Sequence, residues 1–336
     1  MKYVLFSLIS LWASLASAQQ PSDREATPFS VGDSLGVRGV DGSHEVMSKN
    51  VKVFGAIVAA ESCTFDTTRG LIIVVNRGAP QAVRENDAWV SLLHPDGSVH
   101  TPYWIGNGQP RGRDATAPPL TLNDPLGSEI SGGILYIADR DGGTGPDDPT
   151  VAVIRRFDLT TGSPLSDLKV EGSPWINDLA IAEDGTIYAT QTGDLGPEPD
   201  TSSWRVLKVY PTGEHEVLIE GAPLHQPNGI GWDGEGNLVV VNYGDPAVLT
   251  FMPQGELVRT EHAAQPGGDG LVILSDGTKY VSSVSRGGIS RIRPGREAEL
   301  IATGIPGAAS MCYDPVRRQL IIPMTSQNGL AFLGME

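Results

Sequence analysis

Six segments of this chain repeat one pattern, and a repeat of that kind restricts the fold more than any single motif does. The clearest copy is Asn228-Gly-Ile-Gly-Trp-Asp-Gly-Glu-Gly-Asn-Leu-Val-Val-Val. Beneath it align Asn177-Asp-Leu-Ala-Ile-Ala-Glu-Asp-Gly-Thr-Ile-Tyr-Ala-Thr and Asp269-Gly-Leu-Val-Ile-Leu-Ser-Asp-Gly-Thr-Lys-Tyr-Val-Ser. Each runs from a polar residue through a small or acidic one into a short apolar strand, a glycine turn and a second strand. Weaker copies begin at Glu61, at Asn123 with an insertion, and at Ala309. The leading positions 61, 123, 177, 228, 269 and 309 are separated by 62, 54, 51, 41 and 40 residues, the length of one four-stranded unit each. Further strands with their own turns fill the intervals, around Pro95-Asp-Gly97, Pro211-Thr-Gly213 and Pro253-Gln-Gly255 among others. Four-stranded sheets repeated radially make a β-propeller. A sandwich would space its strands by about 8–12 residues with no longer period. The chain is therefore expected to be all-β, a six-bladed β-propeller with four-stranded blades around a central channel. Ring closure is expected from Val51 to Phe54 or from Leu330 to Leu333.

Composition agrees with that reading and narrows the partners. Of 336 residues 40% are hydrophobic, and Gly 41 and Pro 25 are scattered between short apolar runs, as in all-β proteins. The formal net charge is −16 with no run of like charge, which excludes the basic footprint that nucleic acid or anionic lipid needs. Met1-Lys2, the apolar run Tyr3 to Leu15 and the small residues Ala16 to Ala18 read as a cleaved signal peptide over 1–18. A polar arm over 19–45 and the propeller over 46–336 complete the expected organisation. The apolar run is shorter than the ~20 residues that span a bilayer. A secreted monomer acting on a small molecule is expected, with no membrane contact after cleavage. The two cysteines, Cys63 and Cys312, fall two and three places after their repeats' leading residues, hence on opposite strand faces. A disulfide is not expected between them.

In a propeller the first strand of each blade lines the channel, so the residues that start those strands converge. Here they are Glu61, Asn123 or Asp124, Asn177, Asn228, Asp269 and Ala309. Carboxylates and amides without lysine or arginine make a cage of hard oxygens, which suits calcium better than zinc or magnesium. Without an ion, two facing carboxylates in a low-dielectric hub would repel, and one would take up a proton. Each residue alone is also an ordinary strand-entry or turn choice. Their common register is what points to a metal.

Glu61-Ser-Cys-Thr-Phe-Asp, Asn177-Asp-Leu, Asn228-Gly-Ile-Gly-Trp and Asp269-Gly-Leu resemble, in order, the calcium-binding segments of the senescence-marker-protein, gluconolactonase and luciferin-regenerating-enzyme family. Diisopropyl-fluorophosphatase and the paraoxonases share a similar hub. The resemblance covers the chain from about residue 50 onward, and it implies that Glu61, Asn177, Asn228 and Asp269 hold a catalytic calcium. In such enzymes the ion polarises a lactone or ester carbonyl, and Asp269 would be the general base or nucleophile. One departure concerns the residue two places before the Asn of the third repeat, often Arg in members that bind sugar lactones. Here it is Trp175, which suits a less hydroxylated substrate or is simply a packed wall residue.

Around that hub the loops should shape a pocket. The segment from Gly106 to Leu122, with Arg111 and Arg113, reads as a lid or anion clamp or as an irregular excursion. Together with Asn123, Asp124 and Trp175 these arginines are the expected pocket residues. His225 and His262, three residues before Asn228 and seven before Asp269, are candidate catalytic proton shuttles. The chain lacks a Gly-x-Ser-x-Gly elbow, a phosphate loop and a Cys-x-x-Cys pair. A calcium-dependent lactonase or esterase is the first expectation. The alternatives are a secondary-metabolite cyclase of the hetero-Diels–Alder type on the same propeller, and a non-enzymatic binding propeller.

Overall fold

The repeats fold into six antiparallel sheets of four strands each. This computed structural model describes residues 37–38, 44–45, 51–55, 57–106 and 113–335. The expected signal peptide and Arg111 lie outside those residues. Before the first blade come two short paired strands, β1 (Val37–Arg38) and β2 (His44–Glu45), and then β3 (Val51–Gly55). Blade I comprises β4 (Ala60–Asp66), β5 (Leu71–Asn76), β6 (Trp89–Leu93) and β7 (Val99–Ile105). Blade II comprises β8 (Ser128–Ser131), β9 (Ile134–Asp141), β10 (Val151–Asp158) and β11 (Leu168–Val170). Blade III holds β12 (Leu179–Ile181), β13 (Ile187–Gln191), β14 (Arg205–Val209) and β15 (His215–Glu220). Blade IV holds β16 (Pro227–Trp232), β17 (Leu238–Asn242), β18 (Ala247–Phe251) and β19 (Leu257–His262). Blade V holds β20 (Gly268–Ile273), β21 (Lys279–Ser283), β22 (Gly288–Ile292) and β23 (Glu299–Ala302). Blade VI runs β24 (Cys312–Asp314), β25 (Gln319–Met324) and β26 (Gly329–Gly334), and takes β3 as its outermost strand. The register Leu330↔Phe54 shows that the two stretches expected to close the ring do so by pairing with each other.

The glycine turns explain why the first two strands of a blade fold back where they do. Gly185, Gly236 and Gly277 occupy the same place in three blades with φ of 83°, 79° and 82°. A Cβ disfavours that left-handed backbone, and glycine alone adopts it freely.

The core is divided into six wedges, one between each pair of neighbouring blades. Along β5, Ile72 and Val74 pack toward blade VI, whereas Leu71, Ile73 and Val75 pack toward blade II. Every residue of β5 and of β17 is buried. That is why the second strands read as unbroken apolar runs rather than alternating ones.

The same geometry overturns the reading of the cysteines. Cys63 and Cys312 form a disulfide, with Cα atoms 5.5 Å apart. They do belong to opposite faces of their respective strands. However, β4 and β24 lie in different blades, and residues that meet across a wedge must come from opposite faces. The difference of one place in the repeat therefore brings the thiols together. Ser310 N donates to Glu61 O (3.0 Å) and Cys63 N to Ser310 O (3.2 Å), so backbone bonds reinforce the same junction.

The disulfide closes a loop of 249 residues between the first and last blades. Replacing both cysteines by alanine is expected to lower unfolding free energy by about 2–5 kcal/mol in urea titration. Two free thiols in the denatured, unreduced protein would contradict the link.

Candidate active site at the channel mouth

Three of the leading residues are aimed by β-bulges. The pairing of the first with the second strand slips between Ala60 and Ser62, between Pro227 and Ile230, and between Gly268 and Leu271. A bulge leaves a residue out of the ladder and re-aims its side chain. Glu61, Asn228 and Asp269 sit at those slips. Each bulge is also locked to its neighbour. Ser282 Oγ accepts from Gly270 N (2.8 Å) and donates to Ala309 O in blade VI (2.8 Å). Thr190 Oγ1 accepts from Asp178 N (3.1 Å) and donates to Asn228 O in blade IV. A Cβ on Gly229 would strike the carbonyl oxygen of Asp269, so only glycine lets β16 and β20 approach this closely.

The residues so placed form a buried, under-bonded acidic centre. Glu61, Asn228 and Asp269 are 7%, 4% and 4% exposed. Asn228 Nδ2 donates to Asp269 Oδ2 at 3.4 Å, while Asn228 Oδ1 and Asp269 Oδ1 are buried without a partner among the described residues. Burial pushes the Glu61 carboxyl up; the Arg77 guanidinium opposes the shift and Asp124 adds to it. Asp269 is pushed well above the usual carboxylate range, first by burial and then by the charges of Glu61 and Asp178. Asn177, also buried, donates through Nδ2 to Thr192 Oγ1 (3.0 Å), and its backbone oxygen accepts from Gly127 N (2.7 Å). Asp178, taken in sequence only as the small or acidic second position, lies within electrostatic reach of Asp269 and Glu61. Burial raises its own carboxyl to about 7, against hydrogen bonds from the backbone of Leu179 and Ile230.

Two arginines at this end were invisible in the repeat pattern because they end second strands rather than begin first ones. Arg77 follows β5 and Arg140 lies near the end of β9. Both pair with Asp124, which is fully buried: Arg77 Nε to Oδ1 at 2.7 Å, and Arg140 Nη2 to Oδ2. Of the two candidates in the second repeat it is therefore Asp124 whose charge bears on Glu61. Asn123 faces away, accepting from Asn86 N and donating to Arg140 O and Asp141 Oδ1. Trp175 stands beside Arg140, whose guanidinium is 5.9 Å from the indole centroid, and it walls a cavity of about 360 Å³ with Gln191 and Asp194.

Three expected residues occupy other places. The buried Arg113 side chain donates to Asn86 Oδ1 and to the carbonyls of Ala88, Leu122 and Gly106, so it ties down a loop instead of facing the hub. His262 ends β19, the outermost strand of blade IV, paired with Ala247. At about 4.8 Å per strand this places it roughly 14 Å from β16, the channel strand of its own blade. His225 lies on the rim between blades III and IV, its Nδ1 3.1 Å from Asp245 Oδ2 and its ring 4.8 Å from that of Trp204. It makes no hydrogen bond or ion pair with Glu61 or Asp269.

Beneath this centre the channel contains a cavity of about 440 Å³ lined by all six first strands, with Asp178, Glu129, Thr64 and Ser128 among its walls. Among the described residues no group of three or more His, Cys, Asp or Glu side chains is gathered as a metal site. The oxygens available to a cation are those of two carboxylates and two amides. The unpartnered Asn228 Oδ1 and Asp269 Oδ1, beside the buried Glu61 carboxyl, fit a hard divalent ion.

No protein-family model and no curated protein matches this sequence. Solved structures do. A gluconolactonase from Xanthomonas campestris is 16% identical, with 94% of this chain and 99% of that one covered at a TM-score of 0.56. Regucalcin from Agrobacterium tumefaciens, described as a calcium-binding protein, is 17% identical over 83% and 91% of the two chains, with a TM-score of 0.54. The chain shares the gluconolactonase and regucalcin fold. Virginiamycin B lyase from Staphylococcus aureus has it too, at 12% identity, 85% and 100% coverage and a TM-score of 0.56. One scaffold thus carries proteins described as lactonase, lyase and calcium binder, and identities this low speak for fold alone.

Burial raises Glu129 in the channel to about 7, from an ordinary value of 4.5. The folded protein then keeps a proton that the unfolded chain has released, so stability falls as pH rises through that window. Glu129→Gln is expected to raise the melting temperature at about pH 8 and leave it unchanged at about pH 4. Equal shifts at both pH values would mean that Glu129 ionises normally.

Proposed function

We propose that the protein is a secreted hydrolase that opens a lactone or cleaves an ester, using a calcium ion held by Glu61, Asn177, Asn228 and Asp269. The observation that carries this reading is the centre itself: two buried carboxyls driven up by burial, beside amide and carboxylate oxygens that have no partner. Buried polar groups are normally satisfied, and two unsatisfied oxygens converging from neighbouring blades call for a ligand. When bound, the ion would supply Lewis-acid polarisation of the substrate carbonyl.

The chain's own residues do the rest. A cation beside Glu61 and Asp269 would offset their repulsion and favour the ionised forms. Asp269, held at Oδ2 by Asn228 Nδ2, would then accept a proton from the attacking water. Trp175 would offer an apolar wall to the part of the substrate that does not react. Export is supported by the N-terminal apolar run and, independently, by the Cys63–Cys312 disulfide, which persists in oxidising compartments. The acidic charge without a basic patch supports a small-molecule substrate and no nucleic acid, and the protein would act as a monomer.

Trp175 also favours a second reading, cyclisation of an apolar polyene by orientation alone. It would need no hydrolytic base, so the two readings separate at Asp269.

Metal analysis of the purified protein is expected to find about one calcium per chain, as a single-ion site requires. Chelation should abolish lactone and aryl-ester hydrolysis and lower the melting temperature. Asp269→Asn should stay folded and lose at least about 100-fold in kcat. Full hydrolytic activity in excess chelator would defeat the calcium reading, and an Asp269→Asn variant that still cyclises a polyene would favour the second.

A further inference from the structure

Arg77 and Arg140 reach the mouth from the second strands of neighbouring blades, and their guanidiniums meet on one carboxylate. Asp124 spends both oxygens on them: Oδ1 accepts from Arg77 Nε and from Gln81 N (3.2 Å), Oδ2 from Arg140 Nη2. Asp124 is itself immobilised. Its backbone N–H donates to Asp139 Oδ1 at 2.8 Å, and Asp139 is paired at 2.8 Å with the buried Arg155. Two guanidiniums are therefore held in fixed orientation. Each nevertheless keeps a buried N–H group without a partner among the described residues, Arg77 Nη2 and Arg140 Nε. A buried guanidinium donor left unpaired costs free energy that a ligand oxygen would recover. Arg77 is also near enough to Glu61 and Asp269 for their charges to act on it, so its free donor lies beside the proposed reaction centre. On the far side Arg140 faces the indole of Trp175.

Fixed planar donors beside an aromatic wall suit one chemical group in particular. We propose that Arg77 and Arg140 bind a carboxylate of the substrate, so that the preferred substrate is an aryl or similarly apolar lactone or ester carrying a free carboxylate. Guanidinium recognises carboxylate through charge-assisted hydrogen bonds of fixed direction, which lysine does not reproduce. The anion-binding role that Arg113 was expected to share is thus assigned to arginines of the second strands. The inference rests on the hydrolase reading for the reaction, but not for carboxylate binding.

Benzoate, with benzamide as its neutral counterpart, tests the assignment by titration calorimetry on the full-length, metal-stripped protein, where no ion can account for carboxylate binding. Benzoate is expected to bind at least about tenfold more tightly than benzamide. Arg77→Gln and Arg140→Gln should each weaken benzoate by about tenfold and leave benzamide unchanged. Arg77→Lys keeps a charge for Asp124, serves where the glutamine variant does not fold, and should also bind benzoate more weakly than wild type. Asp269→Asn, which the hydrolase reading makes inactive, should bind benzoate at least as well as wild type. Equal binding of the two probes, or unchanged benzoate affinity in the folded arginine variants, overturns the proposal. Arginine-dependent benzoate binding with no hydrolysis of any ester or lactone would instead uphold the carboxylate site and defeat the hydrolase reading.

Discussion

The packing of each blade against its two neighbours is the interaction on which everything else depends. A four-stranded sheet with apolar residues on both faces cannot cover either face alone, and β5 shows the consequence, burying alternate side chains in two different wedges. The demand passes from blade to blade and is met only when the last blade covers the first. Closure is accordingly reinforced at the blade VI–blade I junction by β3, by backbone bonds between β4 and the entry to β24, and by the Cys63–Cys312 bond.

Closure also creates the electrostatic tension at the channel mouth. Packing the wedges draws the first strands so near that Gly229 leaves no room for a Cβ against Asp269. Whatever stands at those strand entries must converge, whether or not the charges agree. Glu61 and Asp269 converge in a place that disfavours ionisation of both, and Arg77 offsets only part of the effect. Ordinary core design would replace such a pair by apolar residues. Strongly shifted carboxyls gathered where six strands meet are what mark this place as the candidate functional site.

What could be read in advance follows a physical division. The repeat spacing, the glycine turns and the strand-entry residues Glu61, Asn228 and Asp269 were legible because they recur along the chain at fixed register. Arg77, Arg140 and Asp178 were not, since their importance lies in partners contributed by other repeats. The cysteines were misjudged by a rule for neighbours within one sheet, when these two face each other across two sheets. His262 is near Asp269 in sequence, yet it ends the outermost strand of blade IV whereas Asp269 stands on the first strand of blade V. Arg113 is an arginine beside a long loop, and nothing in such a loop distinguishes a charge offered to a ligand from one consumed by backbone carbonyls.

The sequence by itself determined a ring of four-stranded blades and the ends of the strands that line its channel, because both follow from periodicity and local turn chemistry. The tertiary structure alone decided which cysteines bond, which of Asn123 and Asp124 bears on the hub, and that two arginines share one buried carboxylate with donors to spare. Those outcomes depend on side chains meeting across blades, and the distances between blades are set by how the apolar wedges pack once the ring has closed.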